Sequence, residues 1–181
     1  MNVRNWLVQT ARYYRQYDFF RQYSLLSDEE LADELEALCR EEAGYTGGTF
    51  NGRGDWEVIC YDYQRTLGME LDALYGDDPG TYSFQNAIWT MQEWATISRG
   101  KFLPLNIRDV GEYLVELKLD GSWHTLNPWE DPYKLAPQIN PLIAKTGFQF
   151  EIWDLYPSCL VAILTSEEKQ KFQFERGWRF I

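Results

Sequence analysis

The sequence predicts an α+β fold: an N-terminal helical half of about four helices, then an antiparallel β-rich region with one or two helices. Three observations carry this expectation. Apolar residues recur at helical spacing as far as Gly100, two capping boxes open at Ser27 and Thr165, and Asp120-Gly121 sits between two alternating segments as a hairpin turn.

Residues 3–23 read as the first helix, with Val3, Leu7, Ala11 and Tyr14 on one apolar stripe and Trp6, Tyr13, Tyr17 and Phe20 on another. It carries Arg4, Arg12, Arg15 and Arg21 against Asp18 alone. In Ser27-Asp28-Glu29-Glu30, the Ser27 hydroxyl can accept from the Glu30 amide while the Glu30 carboxylate accepts from the Ser27 amide. The helix this box opens runs to about Glu42, with Leu31, Leu35 and Leu38 on one face. Residues 27–42 hold eight acidic groups and one arginine. A basic helix followed directly by an acidic one predicts an antiparallel hairpin of attracting charge, although exposed pairs contribute little each.

A glycine-rich loop spans 44–55. Beyond it Trp56, Ile59, Cys60, Tyr63, Leu67, Leu71 and Leu74 recur at helical spacing, predicting a third helix from an Asp55 N-cap to a stop at Gly76. Asp77-Asp78-Pro79-Gly80 is a turn, and a fourth helix is expected over 82–99. Tyr113–Leu119 and Ser122–Leu126 are the strands of the Asp120-Gly121 hairpin. Pro128, Pro132, Pro137 and Pro141 leave room for only a short helix near 138–145. Phe148–Trp153 and Cys159–Leu164 read as strands about a turn at Tyr156-Pro157-Ser158. The Thr165 capping box opens a helix ending at Gly177, with Trp178–Ile181 as a short final strand. One domain over 1–181 is expected, with 1–100 helical and 101–181 α+β as the possible subdivision.

The chain is 45% hydrophobic, enough apolar surface to outweigh chain entropy, so disorder is not expected. Its eight tryptophans serve either as core or as an aromatic interaction surface. A formal charge of −11 repels phosphates and anionic lipid heads and attracts a basic partner; it also simply keeps a protein in solution. Nucleic acid and membrane are therefore not expected partners. Cys39, Cys60 and Cys159 are scattered, with no CxxC pair and no zinc spacing, which reads as buried structural thiols in a reducing compartment. With no apolar signal region at the N-terminus, a cytoplasmic location is expected.

His124, the single histidine, would have to serve any Ser-His or Cys-His mechanism, yet no nucleophile elbow accompanies it. The glycines at 47, 48, 52 and 54 lack the Lys-Ser/Thr of a phosphate loop. Arg53-Gly54-Asp55 spells an adhesion tripeptide that reads here as a turn and an N-cap. Trp123, Trp129, Glu130, Asp131 and Trp153 could be drawn into a carboxylate cleft for a sugar, although so acidic a chain makes such pictures easy to assemble. The basic N-terminal helix suits a docking element or, alternatively, packing against the acidic helix behind it. No catalytic residue, metal ligand or cofactor is assigned.

The proline-restrained loop Asn127-Pro128-Trp129-Glu130-Asp131-Pro132-Tyr133 follows the hairpin strand that carries Trp123. Trp123, Trp129 and Tyr133 are rigid anchors, and Glu130 with Asp131 would meet a basic partner; these five are the candidate partner-binding residues. Folding of Trp129 back over the core is the competing reading. In type, as a small acidic α+β chain, the protein resembles the immunity proteins that neutralise basic nuclease-type toxins. That resemblance rests on no motif and implies no catalytic residue. The functional expectation is an acidic cytosolic protein-interaction module, with an immunity or inhibitor protein that binds a basic partner as its leading form; the alternative is a carboxylate-dependent enzyme acting on a small or carbohydrate-like substrate.

Overall fold

The computed structural model describes residues 2–45, 47–52, 54–70, 84–111, 114–127, 134–155 and 158–181. The fold is α+β, with six α-helices and two three-stranded sheets among the described residues. The chain packs as two compact units, Met1–Thr66 and Leu67–Ile181.

The first unit holds α1 (Val3–Arg15), α2 (Asp28–Tyr45) and the single-turn α3 (Trp56–Ile59). The Ser27 capping box forms as read, with Ser27 N donating to Glu30 Oε2 at 2.8 Å and Glu30 N to Ser27 Oγ at 3.1 Å. Leu31, Leu35 and Cys39, spaced four apart, are buried along α2, and Leu7, Ala11 and Tyr14 along α1. Ion pairs fix the two helices antiparallel: Arg15 with Asp28 at 3.0 Å, Arg12 with Asp28 at 2.9 Å, and Arg4 with Asp33 at 2.7 Å.

α1 stops at Arg15, eight residues short of the expected end. Asp18 and Phe20 take left-handed backbone (φ 63° and 60°), and a 3₁₀ turn follows at Arg21–Tyr23. Neighbouring side chains on a helix point about 100° apart. Breaking the helix lets Phe19 and Phe20 both leave water, and Asp62 accepts the freed Phe20 amide at 2.8 Å.

The long third helix expected over 55–76 is not formed. After Ile59 the chain winds into tight turns, with Arg65 N and Thr66 N both donating to the Asp62 carbonyl. Thr66 Oγ1 donates to the carbonyls of Ile59 and Asp62. Thr66 and Gly68, poor helix formers, then lie in a strand. Asp55 stands at the N-cap position of α3 but makes no side-chain cap bond there; its carboxylate accepts from the Tyr14 hydroxyl at 2.6 Å. Leu71, Leu74, Gly76 and the turn at 77–80 lie outside the described residues.

The second sheet-bearing unit contains α4 (Phe84–Ile97), α5 (Leu135–Ile143) and α6 (Ser166–Arg176). One sheet has the order β1 (Thr66–Glu70), β6 (Ser158–Thr165), β5 (Phe148–Leu155); the other is β2 (Leu105–Gly111), β3 (Leu114–Leu119), β4 (Ser122–Leu126). Both expected hairpins form: Leu119 faces Ser122 across Asp120-Gly121, whose positive φ angles of 50° and 86° suit a primed turn, and β5 pairs with β6 from Phe148↔Thr165 to Leu155↔Ser158. The turn residues 156 and 157 lie outside the described residues. Trp94, Phe102, Leu117, Ile139, Phe150 and Val161 are at the centre of the core. The Thr165 capping box is present, and Gly177 ends α6 in the left-handed region at φ 70°.

β2 was not expected. Its residues are almost all exposed and its pairing with β3 is interrupted by two register shifts, so it carries no clean alternation. The final strand reduces to one bridge, Phe180 opposite Trp153, beside the stacked rings of Trp153 and Trp178 at 4.7 Å.

Burial opposes ionisation of Asp28, but hydrogen bonds from Arg12 and Arg15 outweigh it and hold its pKa below the usual aspartate value. A carboxylate lowered in the folded state adds stability above its unfolded pKa, lost as pH falls through the folded value. Asp28→Asn is expected to cost about 1 kcal/mol at pH 7, the difference shrinking below about pH 4, as read by urea denaturation. Thr90 Oγ1 and Trp94 Nε1, one turn apart on α4, are buried without hydrogen-bond partners among the described residues. Thr90→Val should therefore raise stability by about 1 kcal/mol in the same assay; a loss of that size would mean that an internal water serves the hydroxyl.

Candidate functional site

A pocket of about 290 Å³ opens in the first unit. The last turns of α2 supply Cys39, Glu42 and Ala43, which share a face at i, i+3 and i+4. The glycine-rich loop supplies Thr49 and Phe50, while Trp56, Glu57, Cys60 and Tyr61 come from α3 and the turn after it.

The loop glycines have local structural causes. Gly47 is left-handed (φ 69°) and Gly48 N donates to the Ala43 carbonyl at 2.7 Å, closing the end of α2 and turning the chain back. A Cβ on Gly54 would stand 2.8 Å from the Trp56 ring, so only glycine lets that ring lie against the backbone. The Gly54 amide donates to Glu57 Oε1 at 3.1 Å, tying the carboxylate to the loop.

Tyr61 donates its hydroxyl to Glu42 Oε2 at 2.5 Å. Burial first, then this bond, push the phenol pKa up, so Tyr61 stays protonated and Glu42 its acceptor. Cys39 Sγ donates to the Glu57 carbonyl at 3.1 Å, and Cys60 Sγ to the same oxygen at 3.6 Å. Burial and the neighbouring Cys60 raise the Cys39 thiol, while burial and Glu42 push Cys60 up to about 12. Both sulfurs are therefore neutral donors at physiological pH rather than nucleophiles. What remains is an aromatic-walled recess whose charged lining residues, among the described residues, are Glu42 and Glu57. Such a recess binds a cation by charge and by contact with ring faces. No group of three or more His, Cys, Asp or Glu side chains is placed to hold a metal ion among the described residues.

The residues singled out from sequence lie elsewhere. Trp123 stands on β4, 45% exposed, with the Arg108 guanidinium 4.2 Å over its ring, and Arg108 also pairs with Glu116 at 2.7 Å. Trp129, Glu130, Asp131 and Tyr133 lie outside the described residues. Gln138 bonds the two ends of their loop, accepting from Asn127 N at 2.7 Å and donating to the Asn127 and Lys134 carbonyls at 2.9 Å. His124 is half-buried opposite Leu117. Trp153, drawn into a possible sugar cleft, is instead a buried side chain stacked on Trp178, and Arg53 of the tripeptide lies outside the described residues. Cys159 is buried in the core of the second unit.

Sequence reasoning missed the pocket. Trp56, Ile59, Cys60 and Tyr63 fitted a helical period, and that period hid the reversal that turns Cys60 and Tyr61 toward α2. The available signal was the glycine cluster between an acidic helix end and Trp56-Glu57.

No helix among the described residues is long and apolar enough to cross a membrane. No family model matches the chain, and neither a curated protein nor a solved structure does.

The raised thiol pKa values have a direct consequence. At pH 8 an aromatic disulfide reagent is expected to modify the native protein at least about tenfold more slowly than the urea-unfolded chain, because thiolate is scarce in the fold. Equal rates would show that the thiols of the folded protein are open and ionised.

Proposed function

We propose that this chain is a protein-interaction module that binds a basic partner through its first unit. The observation that carries the reading is the pocket, where Glu42 and Glu57 lie among Phe50, Trp56 and Tyr61. The exposed side of α2 continues the same charge: Glu29, Glu30, Glu34 and Glu41 all face solvent. Negative potential spread along a helix raises the encounter rate with a basic surface, and a half-open aromatic recess at its end supplies short-range affinity. An immunity or inhibitor protein directed against a basic toxin would be one instance of such a module.

The test is fluorescence anisotropy with labelled peptides. An arginine-rich peptide is expected to bind, with affinity falling at least about fivefold when salt rises from 50 to 300 mM. A glutamate-rich peptide of equal length is expected not to bind. Glu34→Lys combined with Glu41→Lys should weaken the basic peptide several-fold. Equal affinity for both peptides, or none for the basic one, would overturn the reading.

A further inference from the structure

We propose that Cys39 and Cys60 are a disulfide-forming pair, which a small-molecule disulfide such as oxidised glutathione closes into a bond that staples the glycine-rich loop. Their side chains converge. Cys39 Sγ, on α2, donates to the Glu57 carbonyl at 3.1 Å, and Cys60 Sγ, just beyond α3, donates to the same oxygen at 3.6 Å. The sulfurs therefore stand no further apart than those two bonds laid end to end. Side-chain rotation and a small backbone shift close that gap to the roughly 2 Å of a disulfide. Cys60 has room to shift because it follows a helix of only four residues rather than lying inside a long one. It is also half-buried where Cys39 is buried, so Cys60 is the sulfur that meets the oxidant first. Cys159, buried in the core of the second unit, is the internal control.

The exchange balances with no further reagent. The Cys60 thiolate attacks one glutathione sulfur, the S–S bond of glutathione breaks, and the thiolate released takes up the proton that Cys60 gave to solvent. Cys39 then loses its proton and attacks Cys60 Sγ, the mixed disulfide breaks, and the second glutathione leaves with that proton. Both cysteine sulfurs are oxidised and both glutathione sulfurs reduced. Two features favour the closed bond. A thiol pair resists oxidation when its reduced form holds a stabilised thiolate, but burial raises both thiols here, so the reduced pair has no such advantage. The bond also closes a segment containing Gly44, Gly47, Gly48, Gly52 and Gly54, which has much freedom to lose in the unfolded chain. The same raised pKa makes the reaction slow, since only the small thiolate fraction attacks.

The experiment incubates the native full chain with excess oxidised glutathione at about pH 8.5, beside a urea-unfolded sample. The native protein is expected to lose two of its three thiols and a mass of two hydrogen atoms. Trypsin, cutting after Arg40 and Arg65, should then release the Cys39 and Cys60 peptides as one linked species that a reductant separates. The unfolded chain should give mixed pairings that include Cys159. The oxidised protein should melt at least about 5 °C above the reduced protein. Cys39→Ser and Cys60→Ser should each abolish the mass change and the melting shift, whereas Cys159→Ser should keep both. Circular dichroism confirms that each variant folds, and the wild-type mass and peptide map decide the pairing even where one does not. Three reactive thiols after prolonged incubation, or glutathione retained on a single cysteine, overturns the pair. Native pairings as mixed as those of the unfolded chain do the same. A linked pair with an unchanged or lower melting temperature overturns the staple.

Discussion

A buried arginine organises the first unit. Arg65 is 1% exposed, lies 4.2 Å over the Phe19 ring and donates to the Tyr17 carbonyl. A guanidinium out of water is tolerated only where hydrogen bonds and charge replace its hydration. A continuous helix would commit the Tyr17 carbonyl to the amide four residues on, so α1 has to end first. Asp62, also fully buried, accepts from the Phe20 and Gln64 amides and holds the opposite side of the same turn. These requirements also stop α3 at Ile59, and that stop brings Cys60 and Tyr61 to Cys39 and Glu42. The pocket is thus a consequence of burying Arg65 and Asp62.

The distribution of charge follows from the hairpin. Arg4, Arg12 and Arg15 are engaged by Asp33, Asp28 and Glu29, and Arg21 by Asp18. Each exposed pair contributes little energy, but together they favour one register of α1 on α2. They also answer the basic face of α1, which in sequence resembles a docking helix. The acidic excess then concentrates further along α2, at Glu34, Glu41 and Glu42, toward the end that builds the pocket.

What the sequence disclosed depended on how local the cause was. The capping boxes at Ser27 and Thr165 and the two hairpins join groups a few residues apart, and each appears where it was read. The α1–α2 pairing was legible because opposite charge was segregated onto consecutive helices. The end of α1 was not, because the Asp62 carboxylate that takes the Phe20 amide lies 42 residues away. The third helix misled for the same reason: Trp56, Ile59, Cys60 and Tyr63 satisfy a helical period, while the termination comes from the side chain and carbonyl of Asp62. β2 escaped notice because only Ile107 of the strand packs against the core, so the segment has no apolar period to show. The pocket draws on three segments that no local pattern connects.

The cysteines illustrate how backbone geometry decides a side chain's role. In a continuing helix the Glu57 carbonyl would accept from the Tyr61 amide, but that amide instead donates to Val58 O at 3.2 Å. The Glu57 oxygen is thereby left over from a helix of one turn. Cys39 and Cys60 both turn their thiols to it, one from α2 and one from just beyond α3. A thiol is a weak donor that loses little on burial, so two of them suit a position at the edge of an apolar wall. Holding their protons, they satisfy an orphaned carbonyl and contribute no negative charge. Among the described residues that line the recess, Glu42 and Glu57 carry the charge, and the two thiols act there as hydrogen-bond donors rather than nucleophiles.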